Sequence, residues 1–264
     1  MSLCQQECKD FVWLIVDDGS SDETEEIVKA WSNEAKVEIF YYRQQNGGKM
    51  RAHNRGVREC KTELFMCLDS DDMLTSPHSI CELLAFWQEK TSVAHRPDTC
   101  GIISFKKIIG KDHSFQQTDV ELLTLEGLRQ YSDECETTLT FKTEVLRQYP
   151  FPEIEGEKFV TEAVVYDQLD RKYQYLLFPH YTQTCEYQPD GYTNNYLRVL
   201  LANPKGYALY YDQLVKFKKE GRFYHTKMYI ATSLLAHDKK MLCKASNKLL
   251  FLLLLPVVIY STVD

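Results

Sequence analysis

The stretch FMCLDSDDML (65 to 74) crowds three carboxylates, Asp69, Asp71 and Asp72, around a single serine, Ser70, at the end of an apolar run. Like charges this close repel, so such a segment either stays well hydrated or gathers a compensating cation. Taken alone, Asp-Ser-Asp is a solvated turn, because Asp and Ser favour turns and helix caps. A second acidic cluster, VDDGSSD (16 to 22), closes another apolar run. Two clusters of this kind weigh against plain hydration. Hard divalent cations such as Mn2+ or Mg2+ take oxygen ligands in near-octahedral geometry, and one or two aspartates with ligand oxygens and water complete such a shell.

The elements that must position these groups follow from the apolar pattern. FVWLIVDD (11 to 18), VEIFYYR (37 to 43) and ELFMCLD (63 to 69) are short runs rich in β-branched and aromatic residues, and they predict buried parallel strands. Between them, SDETEEIVKAWSNEA has an acidic first turn after a capping Ser21 or Asp22, and GKMRAHNRGVREC has a helical rhythm opened by Gly47 and Gly48. The order β-α-β-α-β implies right-handed crossovers and an α/β doubly wound, mostly parallel sheet, with its ligand beyond the C-terminal ends of the strands. Both acidic clusters fall at that rim.

LIVDDGSSDET, NGGKMRAHNRGV and FMCLDSDDML, in this order and spacing, resemble the donor-binding half of the family 2 glycosyltransferases of the GT-A fold, and the likeness covers residues 2 to 110. The resemblance implies a nucleotide diphosphate sugar donor, with Asp18 accepting a hydrogen bond from the base and Asp-Ser-Asp as the metal-binding Asp-x-Asp motif. Asp71 is the first choice of metal ligand. Asp69 and Ser70 belong to the nucleotide-sugar site, Asp69 touching either ribose or the metal, while Asp72 caps the next segment. Uridine is preferred over guanosine as the base. Lys49, after the Gly-Gly pair, is placed to meet diphosphate or ribose, or else is a solvated helix-opening lysine. His53 on the same helix reads as a packed or surface histidine before a ligand.

An inverting transfer needs one general base to take the proton of the attacking hydroxyl. PEIEGEKFVTEAVVYDQLDRKY (152 to 173) is rich in acids and predicts a helix from Val160, with Val160, Val164, Leu169 and Tyr173 on its inward stripe. The family carries an acidic pair where a helix begins. Here TEA stands in that place, which makes Glu162 the candidate base and Asp167 its reserve, against an ordinary acid facing a helix dipole. The family also opens with an apolar strand, whereas this chain opens MSLCQQECKDF, similar to the family's first helix. A central strand between 11 to 18 and 63 to 69 is therefore expected to be lacking, through truncation. That departure, with the altered TEA, keeps a second reading open: a catalytically inactive relative that binds a sugar nucleotide or a partner. A nucleotidyltransferase would also pair a doubly wound sheet with metal-binding aspartates, but the Gly-rich basic loop usual near its N-terminus is not seen.

With 264 residues, 44% of them hydrophobic, the chain can bury one full core. The expected division is a glycosyltransferase domain over 1 to 190, split near 110 into donor and acceptor halves, and a helical C-terminal extension over 191 to 264. Nine cysteines at irregular spacing, without a Cys-x-x-Cys pair, predict reduced thiols in a cytoplasmic setting and no chemical role. A net charge of -7 disfavours non-specific binding to nucleic acid. The charge is uneven: residues 216 to 248 hold nine Lys/Arg against Glu220 and Asp238. Lys240, Lys244 and Lys248 recur at a helical spacing just before the apolar run 249 to 255, too short to span a bilayer. The tail is read either as a helix packed on the core or as a peripheral contact with an anionic membrane, which would suit a glycan or lipid-linked acceptor.

Overall fold

The structure, a computed structural model, describes residues 2–34, 36–93, 97–111, 119–131, 136–187, 191 and 195–261. It divides into two compact units: residues 1–46, 52–150 and 166–188 form the first, and 47–51, 151–165 and 189–264 the second. Residue 190, the boundary expected from sequence, lies outside the described residues.

The first unit begins with a turn over residues 2–5 where a helix was expected. Side-chain hydrogen bonding decides this: buried Gln6 donates to the Ser76 carbonyl (2.8 Å) and accepts from the Ile80 amide (3.1 Å), while Leu3 packs with Leu74 and Ile80. Then come β1 (Val12–Asp17), α1 (Thr24–Glu34), β2 (Glu38–Arg43), α2 (Lys49–Glu59) and β3 (Leu64–Met66), the predicted alternation. Neither candidate cap, Ser21 nor Asp22, directly precedes α1: the Glu23 carbonyl opens the helix by accepting from the Ile27 amide (3.0 Å), and the Asp22 carboxylate, one position earlier, accepts from the Thr24 amide (3.2 Å). Next are β4 (Met73–Leu74), α3 (Ser79–Val93), β5 (Thr99–Ile108), β6 (Leu122–Leu123), α4 (Leu125–Leu128), β7 (Thr137–Lys142), α5 (Thr143–Leu146), α6 (Ala163–Asp170) and β8 (Gln174–Cys185).

The strands form two sheets. β1 and β2 pair in parallel, and the larger sheet runs β3-β7-β5-β8-β4 with β6 on β8. The two longest ladders, β1 with β2 and β5 with β8, are parallel. β3, expected as a buried parallel strand, is instead a short edge paired antiparallel with β7. Among the described residues β1 and β3 share no ladder and belong to different sheets. The residues of β1 are accordingly half-buried up to Asp17. Helix α2 covers both strands, since a Cβ added at Gly56 would sit 3.5 Å from Phe65 and 3.7 Å from Val16. The core lies on β5 and β8, where Ile102, Ile103, Phe105, Tyr175 and Leu176 are essentially inaccessible.

The second unit gathers α7 (Tyr196–Ala202), α8 (Pro204–Phe217), α9 (Arg222–Leu235), α10 (Met241–Lys244) and α11 (Lys248–Ser261) around Tyr207, Tyr211, Leu214, Ile230, Phe251 and Leu254. Lys240, Lys244 and Lys248 do not share one helical face. α10 ends at Lys244, Ala245 is extended (φ -55, ψ 126), and Asn247 caps a new helix by accepting from the Leu250 amide (3.0 Å). Lys244 is drawn to Asp238 (2.6 Å). Among the described residues no helix is long and apolar enough to cross a membrane.

Candidate functional site

In the first unit, the two aspartates closing β1 play different parts. Asp17 is buried and accepts from the Ser20 amide (2.6 Å) and from the Tyr41 hydroxyl, with Arg43 at 3.8 Å. Burial pushes its carboxyl up, but the Tyr41 and Ser20 hydrogen bonds and the Arg43 charge outweigh that and hold it below the usual range. Tyr41 in turn is pushed up to about 12 by burial and by Asp17. Asp17 thus ties the end of β1 to β2. Asp18 is half-buried one residue later, where Gln44 donates to its carboxylate and Asn46 to its carbonyl, both at 2.8 Å. The turn needs Gly19: its φ is +84, and a Cβ there would come within 2.9 Å of the Asn46 amide nitrogen.

After β3 the chain turns tightly, the Asp72 amide donating to the Asp69 carbonyl (3.0 Å). Within this turn Ser70 and Asp71 are exposed and Asp69 half-buried. Asp72 does not cap the next segment; its carboxylate is ion-paired with Lys106 of β5 at 2.6 Å. Burial raises the Asp72 carboxyl, Lys106 works against it, and Asp69 and Asp71 raise it further. Lys106 therefore neutralises one member of the acidic trio, and the turn presents Asp71 to solvent. Among the described residues no three His, Cys, Asp or Glu side chains converge on a common metal position. The donor set suits a cation whose shell is finished by ligand oxygens: two hard carboxylates, Asp69 and Asp71, in one tight turn. His53 is nearly buried and edge-on to Phe65 (5.3 Å), a packing residue.

In the second unit, Lys49 lies 3.3 Å from the Glu162 carboxylate. Several groups that the sequence reading passed over fix the segment bearing Glu162. Arg51 donates to the carbonyls of Glu157 (2.7 Å) and Ile154 (2.6 Å). Buried Glu157 accepts from the amides of Lys205 and Gly206, both at 2.8 Å, at the start of α8. Asn203 accepts from the amides of Lys158 (2.9 Å) and Phe159 (3.0 Å). Gly48, with φ +95, lies so close to the Lys158 carbonyl that a Cβ would overlap it at 1.9 Å. Only the Gly-Gly pair gave a sequence signal for this contact; the Arg51 and Glu157 bonds link positions over forty residues apart and carry no local pattern.

The helix after this segment begins at Ala163 rather than Val160, and Tyr173 lies past its end. The inward stripe starts before the helix: Val160, Val164 and Leu169 are buried, but Val160 lies ahead of Ala163, just after the Phe159 amide that donates to Asn203. Glu162 accordingly precedes the first turn, its carbonyl accepting from the Val165 amide (3.0 Å). Asp167 is mid-helix, where its charge helps raise the carboxyl of Asp170, chiefly lifted by burial. Asp170 itself accepts from the Leu125 and Glu126 amides at the start of α4.

Acidic turns after β1 and β3, on an α/β scaffold whose longest ladders are parallel, define a protein of the GT-A fold. The chain belongs to glycosyl transferase family 2, whose family model matches residues 1–149. It is 37% identical over 129 residues to the teichoic acid poly(glycerol phosphate) polymerase of Staphylococcus epidermidis, an alignment spanning 48% of this chain and 16% of that protein. Among solved structures, S. aureus TarS 1-349 in complex with UDP-GlcNAc superposes with a TM-score of 0.59 at 15% identity, covering 98% of this chain and 75% of that one. The mannosyltransferase of Pyrobaculum calidifontis in complex with GDP-Man and Mn2+ gives 0.55 at 14% identity, covering 100% and 75%.

Proposed function

We propose that the protein is a metal-dependent, inverting glycosyltransferase that moves a sugar from a UDP-sugar to a hydroxyl of a glycan or lipid-linked acceptor, in the synthesis of a cell-surface polysaccharide. The observation that carries this reading is the turn 69–72, where Lys106 takes up the charge of Asp72 while Asp71 faces solvent. Family membership and neighbours with UDP-GlcNAc or GDP-Man and Mn2+ bound support it. Asp69 and Asp71 would hold Mn2+ or Mg2+, which supplies neutralisation of the charge on the diphosphate leaving group. Asp18, steadied by Gln44, would accept the imide N–H of uracil, with Asp69 and Ser70 toward the ribose. Lys49 would offer its ammonium to phosphate or ribose oxygens. Glu162 would take the proton from the attacking hydroxyl as the sugar transfers in one in-line displacement, with Asp167 in reserve.

The division of the sheet between β1 and β3 favours a second reading, a catalytically inactive relative that binds a sugar nucleotide or a partner. Incubating the full chain with UDP-sugars, Mn2+ and candidate acceptors and following UDP release separates the two. Release that depends on the acceptor supports transfer; nucleotide binding without release supports the inactive relative.

A further inference from the structure

Helix α11 is apolar on all sides, yet among the described residues only one side is covered. Phe251, Leu254 and Val258 turn inward and are buried. Leu249, Leu252, Leu253, Val257 and Tyr260 follow the complementary stripe, at relative positions 0, 3, 4, 8 and 11, and Leu249, Leu253 and Tyr260 are 72%, 64% and 74% exposed. At the start of α9, Phe223 is 67% exposed. It shares with Leu249 and Leu253 a depression of about 430 Å³ that Lys219 and Arg222 also line. A row of bare leucines edged by cations is unusual for a surface meant only for water.

The charge around this face says what fits it. Of the nine Lys/Arg between 216 and 248, Lys219 and Arg222 line the depression and Lys248 opens α11, against one exposed acid, Glu220, beside them, and no charged residue follows Lys248 before Ser261. The other acid of that span, Asp238, is held by Lys244 at 2.6 Å, and Asp212 on α8 is engaged by the Ser246 amide and hydroxyl. The complement is therefore apolar at its centre and negative at its edge. We infer that this face docks on an anionic lipid surface, with α11 lying in the interface, its leucines among acyl chains and Lys219, Arg222 and Lys248 against headgroup phosphates. The fourteen residues of α11 extend about 21 Å, short of the roughly 30 Å hydrocarbon core, so the helix lies along the surface and does not cross it. The inference is independent of the transfer reaction.

Cosedimentation of the full chain with phosphatidylcholine vesicles, with and without phosphatidylglycerol, at low and high salt, tests it. Binding is expected to require the anionic lipid and to fall at high salt. Leu249→Glu with Leu253→Glu, and separately Lys219→Glu with Arg222→Glu, should each weaken it by roughly tenfold or more. All four side chains are at least partly exposed, so unchanged thermal melts will show that the variants fold. Equal binding to neutral and anionic vesicles, no binding at low salt, or charge-reversed variants that bind like the parent would each overturn it. A dimer in sedimentation velocity that Leu253→Glu dissolves would give the face to a second copy and overturn it too. Nucleotide binding, measured on the same samples, separates failure here from failure of the functional reading.

Discussion

The ammonium of Lys49, the first residue of α2, lies 3.3 Å from the carboxylate of Glu162, the residue before α6. Two residues 113 positions apart, each a candidate for a different role, are thus partners in one unit. The pair leaves both groups partly open to solvent, 31% and 46% exposed, which would suit Glu162 in the proposed role of base. Glu162→Gln is expected to keep donor affinity and to lower transfer by roughly 10²-fold or more, the cost of losing a general base. Full activity in that variant, with loss in Asp167→Asn, would move the role to Asp167.

Gly48 sets the position of Lys49. With φ +95 and the Lys158 carbonyl 1.9 Å from where a Cβ would stand, Gly48→Ala forces both a strained backbone and a shift of the 158 segment. The expected loss is roughly 2 kcal/mol or more in chemical denaturation, since a left-handed backbone alone costs about 1 to 3 kcal/mol for other residues. Gly110, also at positive φ with nothing within 4 Å, supplies the control: Gly110→Ala should cost only the backbone part.

Sequence alone made much of this legible, and the limits are physical. β1, α1, β2 and α2 are local patterns of period 2 or 3.6 with punctuating glycines and acids, so each could be read from its own residues. The acidic turns were visible as carboxylate clusters closing apolar runs, while Glu162 was singled out only by the resemblance, as the acid of TEA where the family carries an acidic pair. β3 could not be read correctly, because its three-residue length and antiparallel partner are set by β7, about 75 residues later. Nor could the start of α6: the Lys158 and Phe159 amides are taken by Asn203, over forty residues later in the chain, and the helix begins only at Ala163. The break between α10 and α11 did carry a signal in Asn247, a capping residue type masked by the regular lysine spacing.

Lys106 and Asp72 form the structural prop of the acidic turn, 19% and 6% exposed at the side chain. Lys106→Met strands a carboxylate beside Asp69 and Asp71, and is expected to cost on the order of 2 kcal/mol, below the range for a fully buried pair. Adding Asp72→Leu to Lys106→Met should restore most of it in urea melts, because both charges are then gone. A double variant as unstable as Lys106→Met would show that the pair is not what supports the turn.

Asp17 gives the first unit an acid sensitivity. Its carboxyl is held below the ordinary 3.8 in the folded chain, so the unfolded chain takes up the proton first. The stability it contributes is present above about 3.8 and is lost as pH falls through the lower folded value. In thermal melts across pH 5 to pH 2, the midpoint of Asp17→Asn should therefore fall less steeply than that of the parent. Parallel slopes would show that the Tyr41 and Ser20 bonds do not discriminate between the two protonation states.

In the function proposed above, the turn 69–72 binds a nucleotide sugar through a divalent cation. Isothermal titration of UDP into the full chain, with Mn2+ and then with excess chelator, for the parent, Asp69→Asn and Asp71→Asn, reads this binding. Binding that requires Mn2+ and weakens by roughly tenfold or more in either variant is the predicted result. UDP binding of equal strength with and without Mn2+, unchanged by both substitutions, would contradict it.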